Sequence, residues 1–289
     1  WGEYEALLRN QLVVVYQPSD SQRQPVVSVS FAGYLGCLSC MNEAGVTALF
    51  NMGYGDGAAS MARAATGFAP ANLLIRDVLE RREVDDGDEV ESKLRAAKHA
   101  GSYILHVVEP EGDSPARVLE VEADGVHVRQ PGLGTSEVEL AATNHLRGKE
   151  GPQSCSRYAT IERTARKRAH RWDEEALWSL AREVRLPQVV HTILVQPGTR
   201  GLRVWFRAPQ EGAHVDMLGR DFYRLLRRGR AGAAPRRSPA AAWRRRRPPA
   251  GGRPLQRPHP VLLWRSRYCP RQSRFASRRL QAPLPGGSR

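Results

Sequence analysis

Cysteines carry the most reactive side chains in this sequence, and two of them, Cys37 and Cys40, stand three positions apart. That spacing is found in redox-active pairs and in halves of zinc sites. A zinc site needs a second pair of ligands, and none follows at a suitable spacing. A thioredoxin-like site places its first cysteine at a helix N-terminus, whereas this pair lies in an apolar run that predicts a buried strand. We therefore expect two small buried residues on opposite faces of a sheet.

A glycine-rich run from Gly53 to Ala58 has the loose pattern of a dinucleotide-binding loop. That loop works only between a parallel strand and a long helix. Gly67 and Pro70 stand where the helix would run, and the surrounding strands are predicted to be antiparallel. No phosphate loop, zinc-protease helix or nucleophile elbow occurs elsewhere, and we expect no cofactor and no metal site.

Two polar segments are the remaining candidates, Thr143-Asn144-His145 and Ser156-Arg157-Tyr158. The first precedes a loop, and the second begins a predicted helix. In a purely structural interpretation Asn144 caps a turn and Arg157 is a solvated side chain. A functional interpretation of both segments stays open on these residues alone.

The elements that would position these residues centre on a hairpin between Gly33 and Asn51. Two apolar runs, Tyr34–Met41 and Val46–Asn51, flank the turn Asn42-Glu43-Ala44-Gly45. A short loop that ends in glycine suits a hairpin, because glycine adopts the positive φ that such turns need. Both runs are apolar enough to be buried, so the hairpin is predicted to lie in the middle of a sheet.

Periodicity along the rest of the chain predicts an alternation of strands and helices. Short connections make successive strands antiparallel. Two antiparallel sheets with helices outside them, an α+β fold, satisfy this order. Strands are predicted at 12–16, 26–31, 103–108, 116–121, 126–128, 189–195 and 202–206, and helices at 73–82, 88–99, 156–170 and 173–182, the last with Asp173 as its N-cap.

The formal net charge of +14 comes from the end of the chain. Residues 222–289 hold 19 of the 44 basic residues, all arginine, and no acidic residue, which leaves 25 basic against 30 acidic residues elsewhere. This Arg/Pro-rich tail has no sustained periodicity and is predicted to be disordered. It is interpreted as a nucleic-acid-binding arm, as a solvated tail without a partner, or as an out-of-frame reading of GC-rich DNA. We expect a folded domain over 1–221 and the tail over 222–289.

No apolar run reaches membrane-spanning length, so we expect a soluble protein with no membrane partner. Four cysteines in 289 residues do not make a disulfide framework. They fit a reducing compartment, and a cytoplasmic location is the expectation. The chain starts at Trp1 without a leader, which favours a truncated or processed N-terminus.

Several of these segments together resemble the isopenicillin-N acyltransferase family, relatives of choloylglycine hydrolases and penicillin V acylase. The matching residues, in order, are Met41-Asn42-Glu43-Ala44-Gly45 leading to Asn51, then Thr143-Asn144-His145, then Ser156-Arg157. The final strands, with Thr192–Pro197 and Leu202–Trp205, agree as well. The resemblance extends from Trp1 to about Arg207.

This resemblance implies an N-terminal-nucleophile hydrolase fold, a four-layer αββα sandwich. The nucleophile would be a cysteine freed by autoproteolysis, with its own α-amino group as the base. Asn144 and Asn51 would donate hydrogen bonds to the developing oxyanion. Arg157 would favour the thiolate electrostatically. The implied substrates are small-molecule amides or acyl-CoA thioesters.

The family nucleophile and the Arg-Asn-x-Asp segment that follows it would lie upstream of Trp1. Neither Cys37 nor Cys40 can replace that nucleophile, because neither can gain a free α-amino group without cutting a core strand. The sequence therefore predicts a fragment of a cysteine amidohydrolase or acyltransferase that is inactive as given. The alternative is a non-enzymatic protein that binds polyanions, such as nucleic acid, through its Arg-rich tail.

Overall fold

The computed structural model of the chain describes residues 2–53, 62–63, 65–111, 115–131, 140–148, 155–168, 172–186, 189–206, 213–217 and 261–263. Two antiparallel sheets organise these residues, as predicted. The larger sheet has seven strands in sequence order: Gln11–Tyr16 (β1), Val26–Phe31 (β2), Ser39–Asn42 (β3), Thr47–Met52 (β4), Tyr103–Val108 (β5), Ala116–Glu122 (β6) and Gly125–Arg129 (β7). The smaller sheet has the order β10-β9-β8-β11: Ala213–Met217 (β10), Gly201–Phe206 (β9), His191–Gln196 (β8) and Val261–Leu263 (β11).

The helices in the described part of the chain include Gly2–Arg9 (α1), Ala71–Glu80 (α2), Gly87–Arg95 (α3), Ser156–Arg168 (α4) and Glu174–Glu183 (α5). The Asp173 side chain accepts a hydrogen bond from the Ala176 N–H, so this residue is the N-cap of α5 as predicted. Helix α3 ends at Arg95, short of the predicted His99. The buried His99 ring lies 2.7 Å from the Leu94 carbonyl oxygen, where it satisfies the end of the helix.

Successive side chains of a strand point to opposite faces of its sheet, so the larger sheet has one face toward the smaller sheet and one toward the helices. Met41 and Leu49 of the larger sheet pack against Ile193 and Val204 of the smaller sheet and form an inter-sheet core. The opposite face of the larger sheet packs against α2 and α3, whose apolar side chains include Ile75, Leu79, Val90 and Leu94. Helix α5 contacts the smaller sheet, where Glu174 forms an ion pair with Arg203 of β9. The predicted αββα arrangement is confirmed.

The hairpin of β3 and β4 lies at the centre of the larger sheet, as predicted. Gly45 has a φ of +101°, the conformation for which the turn requires glycine. The Asn42 side-chain oxygen accepts hydrogen bonds from the N–H groups of Gly45 and Val46, at 3.1 and 2.9 Å. Its amide nitrogen donates to the Val84 carbonyl, 2.9 Å away. One buried asparagine therefore closes the turn and ties it to the helical layer.

Three elements were not predicted: α1, β10 and β11. Strand β11, Val261–Leu263, pairs with β8 although it belongs to the segment that was expected to be disordered. It consists of an apolar Val-Leu-Leu triplet, and β-branched and apolar residues favour strands. The rest of the tail lies outside the described residues, so its disorder and its interpretation as a nucleic-acid-binding arm stay predictions. None of the helices in the described part of the chain has the length and apolar composition needed to cross a bilayer.

Candidate functional site

The structure brings two of the three predicted site residues into direct contact. Arg157, the second residue of α4, donates from Nη2 to the side-chain oxygen of Asn144, at 3.0 Å. Asn144 in turn donates from its side-chain nitrogen to the Met52 carbonyl oxygen, at 2.9 Å. Met52 follows Asn51 on β4, so the third predicted residue adjoins the pair through its chain neighbour. Asn51, Asn144 and Arg157 are all buried.

Burial and bonding differ from the structural roles predicted for these side chains, a solvated Arg157 and a turn-capping Asn144. Arg157 is 7% exposed and is not solvated. Asn144 does not cap a turn through its Nδ2 group, because that group bonds across 92 positions of sequence to β4. A buried arginine is costly unless its N–H groups are satisfied. Its placement against Asn144 is therefore a specific polar contact.

The contact with Arg157 defines the orientation of the Asn144 amide. A guanidinium group only donates hydrogen bonds, so the Asn144 atom that faces it must be the oxygen. The amide nitrogen then points toward β4, where one of its two N–H groups meets the Met52 carbonyl. An amide held in this way presents donors with a fixed direction, as stabilisation of a developing negative charge requires.

A fourth residue, Cys155, joins this group and was not predicted as part of a site. It directly precedes α4, it is partly exposed, and it is the free cysteine among the described residues. Burial acts to raise the pKa of the Cys155 thiol, but the N–H of Tyr158, the Thr143 hydroxyl and the Arg157 guanidinium outweigh it and hold the pKa below its ordinary value. A cysteine one position before a helix with arginine in its first turn is the sequence signal that could have identified it.

The expectation for Cys37 and Cys40 was half right. Both are buried, but they form a disulfide bond instead of facing opposite sides of the sheet. Strand β3 begins only at Ser39, so Cys37 lies outside the alternation that the prediction assumed. The Cys37 N–H donates to the Asn72 carbonyl at the start of α2, and the Cα atoms of the two cysteines are 5.7 Å apart. A disulfide removes the support that the cysteines gave to a reducing, cytoplasmic location.

The remaining motifs give no site in the described residues. Residues 54–58 of the glycine-rich run lie outside them, and the preceding strand β4 is antiparallel to both of its neighbours, unlike the strand of a dinucleotide-binding unit. Among the residues that the structure describes, no group of three or more His, Cys, Asp or Glu side chains could hold a metal ion.

Solved structures match parts of this chain. The N-acylethanolamine-hydrolyzing acid amidase ortholog of Caenorhabditis elegans matches with a TM-score of 0.56 and 18% sequence identity, over 68% of this chain and 85% of that chain. Two variants of conjugated bile acid hydrolase from Clostridium perfringens match with a TM-score of 0.42 and 11% identity. They cover 67% and 72% of this chain and 77% and 82% of their own. No family model matches the sequence, and neither does any curated protein.

These similarities concern the fold. At 18% identity the C. elegans protein shares the arrangement of sheets and helices, and nothing about substrate follows from that alone. The chain therefore has the predicted αββα fold, two antiparallel sheets between layers of helices.

Proposed function

We propose that this chain forms the core of a cysteine N-terminal-nucleophile enzyme that cleaves a linear amide or transfers its acyl group, as in the isopenicillin-N acyltransferase family. The observation that carries the proposal is the 3.0 Å hydrogen bond from Arg157 to Asn144. It aims the Asn144 amide nitrogen at the end of β4, beside Asn51. One N–H bonds to Met52, and the second donates to the oxyanion of the tetrahedral intermediate.

Asn51 supplies the second donor in this proposal. Its side chain is 4% exposed, on the last buried position of β4. Donors of this type each stabilise a transition state by roughly 3 kcal/mol. The buried Arg157 guanidinium adds a positive charge that favours both a thiolate and an oxyanion.

The nucleophile, in this proposal, is a cysteine encoded upstream of Trp1 and freed at a new N-terminus. Its thiolate attacks the amide carbonyl, and its α-amino group passes the thiol proton to the departing amine. Water or a second amine then attacks the thioester of the acyl-enzyme and releases the acid or the new amide. Neither step changes an oxidation state, and neither needs a cofactor.

Linear amides are the substrate class that we propose. The C. elegans protein that shares the fold is named for hydrolysis of N-acylethanolamine, which is a linear secondary amide. The assay uses amides of short and long acyl chains, with acyl-CoA plus an amine as the transferase alternative.

The test is to read the DNA upstream of Trp1 and to express the frame extended through the predicted cysteine. We expect an in-frame cysteine followed by an Arg-Asn-x-Asp segment, and time-dependent release of amine from at least one linear amide. Replacement of that cysteine by alanine is expected to abolish release. An in-frame stop codon, or a start without a cysteine, would contradict the proposal.

A further inference from the structure

The segment that carries Asn144, residues 140–148, has no regular secondary structure. Its backbone therefore needs partners from elsewhere in the fold. Two buried side chains of the larger sheet supply them, Glu120 on β6 and Arg129 on β7. We name this pair the clamp.

The clamp contacts the segment on both sides of Asn144. Arg129 donates from Nη1 and Nη2 to the Ala141 carbonyl oxygen, at 3.1 Å each. Glu120 accepts with Oε2 from the N–H groups of Arg147 and Gly148, at 2.7 Å each. Ala141 comes three positions before Asn144 and Arg147 comes three positions after it, so the clamp spans the asparagine symmetrically.

The two clamp residues are also bonded to each other. Arg129 Nε donates to Glu120 Oε1 at 2.7 Å. Their side chains are 8% and 2% exposed. Both carboxylate oxygens of Glu120 are occupied, one by the guanidinium and one by two successive backbone N–H groups. Because a buried ion pair gives little net stability compared with apolar residues of similar size, stability alone does not account for this pair.

Apolar packing holds the same segment to the sheet but does not define its register. Ala142 and Leu146 pack against Ile104 and Val118 in a small cluster of their own. Such contacts are non-directional and tolerate sliding by a fraction of a residue. Hydrogen bonds at both ends are directional, and they remove that freedom.

The clamp is also aligned with the proposed oxyanion site. Glu120 pairs in register with Ile104, and Ile104 pairs with Asn51, so the three lie in one cross-strand row. A displacement of the segment relative to this row would change the distance between Asn144 and β4.

We propose that Glu120 and Arg129 are positioning residues that hold Asn144 in contact with Met52 and Arg157, a role that rests on the proposed function. They touch neither substrate nor reacting atoms. They act through the backbone of residues 141–148, and the site loses its geometry when either end of that segment is released.

Cys155 provides a readout that does not depend on turnover. The pKa of its thiol is lowered by the hydroxyl of Thr143, the neighbour of Asn144 in the clamped segment, and by the positive charge of Arg157. Cys37 and Cys40 are joined in a disulfide, so replacement of Cys269 by serine leaves Cys155 as the one thiol to alkylate. The rate of iodoacetamide alkylation is measured against pH, with mass spectrometry to confirm the modified residue.

In Glu120→Gln, the amide oxygen replaces two acceptor oxygens, and the amide nitrogen cannot accept from the segment or from Arg129. We expect the midpoint of the alkylation profile to rise by about 1 pH unit, because release of the segment moves Thr143, whose hydroxyl favours the thiolate, away from Cys155. Arg129→Lys, which keeps the charge but not the paired donors to Ala141, is expected to shift the midpoint in the same direction. This variant keeps the test available if Glu120→Gln does not fold.

The matched control is Glu109→Gln in the second buried ion pair of the same sheet. Glu109 lies 3.8 Å from Arg117 Nη2 and accepts from the Gly87 N–H at the start of α3, away from Asn144. We expect this variant to lower the unfolding temperature without moving the midpoint. The positioning role would be overturned by an unchanged alkylation midpoint in folded Glu120→Gln and Arg129→Lys. An equal shift of that midpoint in Glu109→Gln would overturn it as well. Failure of the extended chain to release amine would instead reject the proposed function and leave the thiol result interpretable.

Discussion

Acid sensitivity of folding is the prediction that the described core makes most quantitatively. His106 lies on β5, next to Leu49 and Val118 in register. Burial lowers the pKa of His106 to about 3, and the positive charge of Arg129 acts in the same direction. In the unfolded chain a histidine titrates near its ordinary value of 6.5. Between these two values the unfolded chain binds a proton at His106 and the folded chain does not.

This difference in proton binding sets the direction in which the free energy of unfolding changes with pH. Above about pH 6.5 both states are neutral at His106, and the residue imposes no penalty on folding. As the pH falls below 6.5, the free energy of unfolding drops by about 1.4 kcal/mol per pH unit, until the folded pKa is reached. At pH 5 the loss that is attributable to His106 is about 2 kcal/mol, a substantial part of the stability of a typical domain.

Urea denaturation at pH 7, 6 and 5, followed by circular dichroism, measures this loss. In His106→Gln the side chain cannot titrate, so the variant should lose about 2 kcal/mol less than the wild type over this range. The matched control is His127→Gln, because His127 is exposed on β7 and solvent reaches it in both states. Parallel losses of stability in the wild type and in His106→Gln would refute the reasoning.

Two further predictions concern the central hairpin. Replacement of Cys37 and Cys40 by alanine should lower the free energy of unfolding by about 2 kcal/mol, since a short closed loop in the unfolded chain is released; a urea midpoint that does not change when a reductant is added to the wild type would contradict this. Gly45→Ala should cost about 1–3 kcal/mol, because the glycine has a φ of +101° and an added Cβ would lie 2.7 Å from Cγ of Pro110. Gly125→Ala, where an added Cβ meets nothing within 4 Å, is the control and should cost less.

The local patterns of apolar, turn and capping residues predicted most of the strands and helices. The strands of the larger sheet and the N-cap Asp173 follow from alternation, turn residues and capping preferences that act over a few positions. The hairpin turn was predictable because Gly45 and Asn42 satisfy its geometry from within the turn. Where a prediction depended on continuing a pattern, as for the helix toward His99, the element ends earlier, at Arg95, and the His99 ring contacts the Leu94 carbonyl oxygen.

The site was predictable only in part, because its contacts join distant segments. Resemblance identified Asn144 and Arg157 as candidates, but only the structure shows that they are hydrogen-bonded. Cys37 lies before the regular strand and donates its N–H to the carbonyl of Asn72, far along the chain, and no local pattern predicts that contact. Likewise, nothing local to Glu120 indicates that its carboxylate will bind the backbone of residues 147–148.

Turnover by Asn144→Ala tests the central claim most directly. The variant is made in the frame extended through the upstream cysteine, and kcat for release of amine from a linear amide is compared with that of the unmutated chain. We predict a fall in kcat of about 10²–10³-fold with little change in KM, because the lost hydrogen bond forms to the oxyanion and not to the bound amide. Unchanged kcat in a folded Asn144→Ala variant would show that this asparagine does not serve an oxyanion.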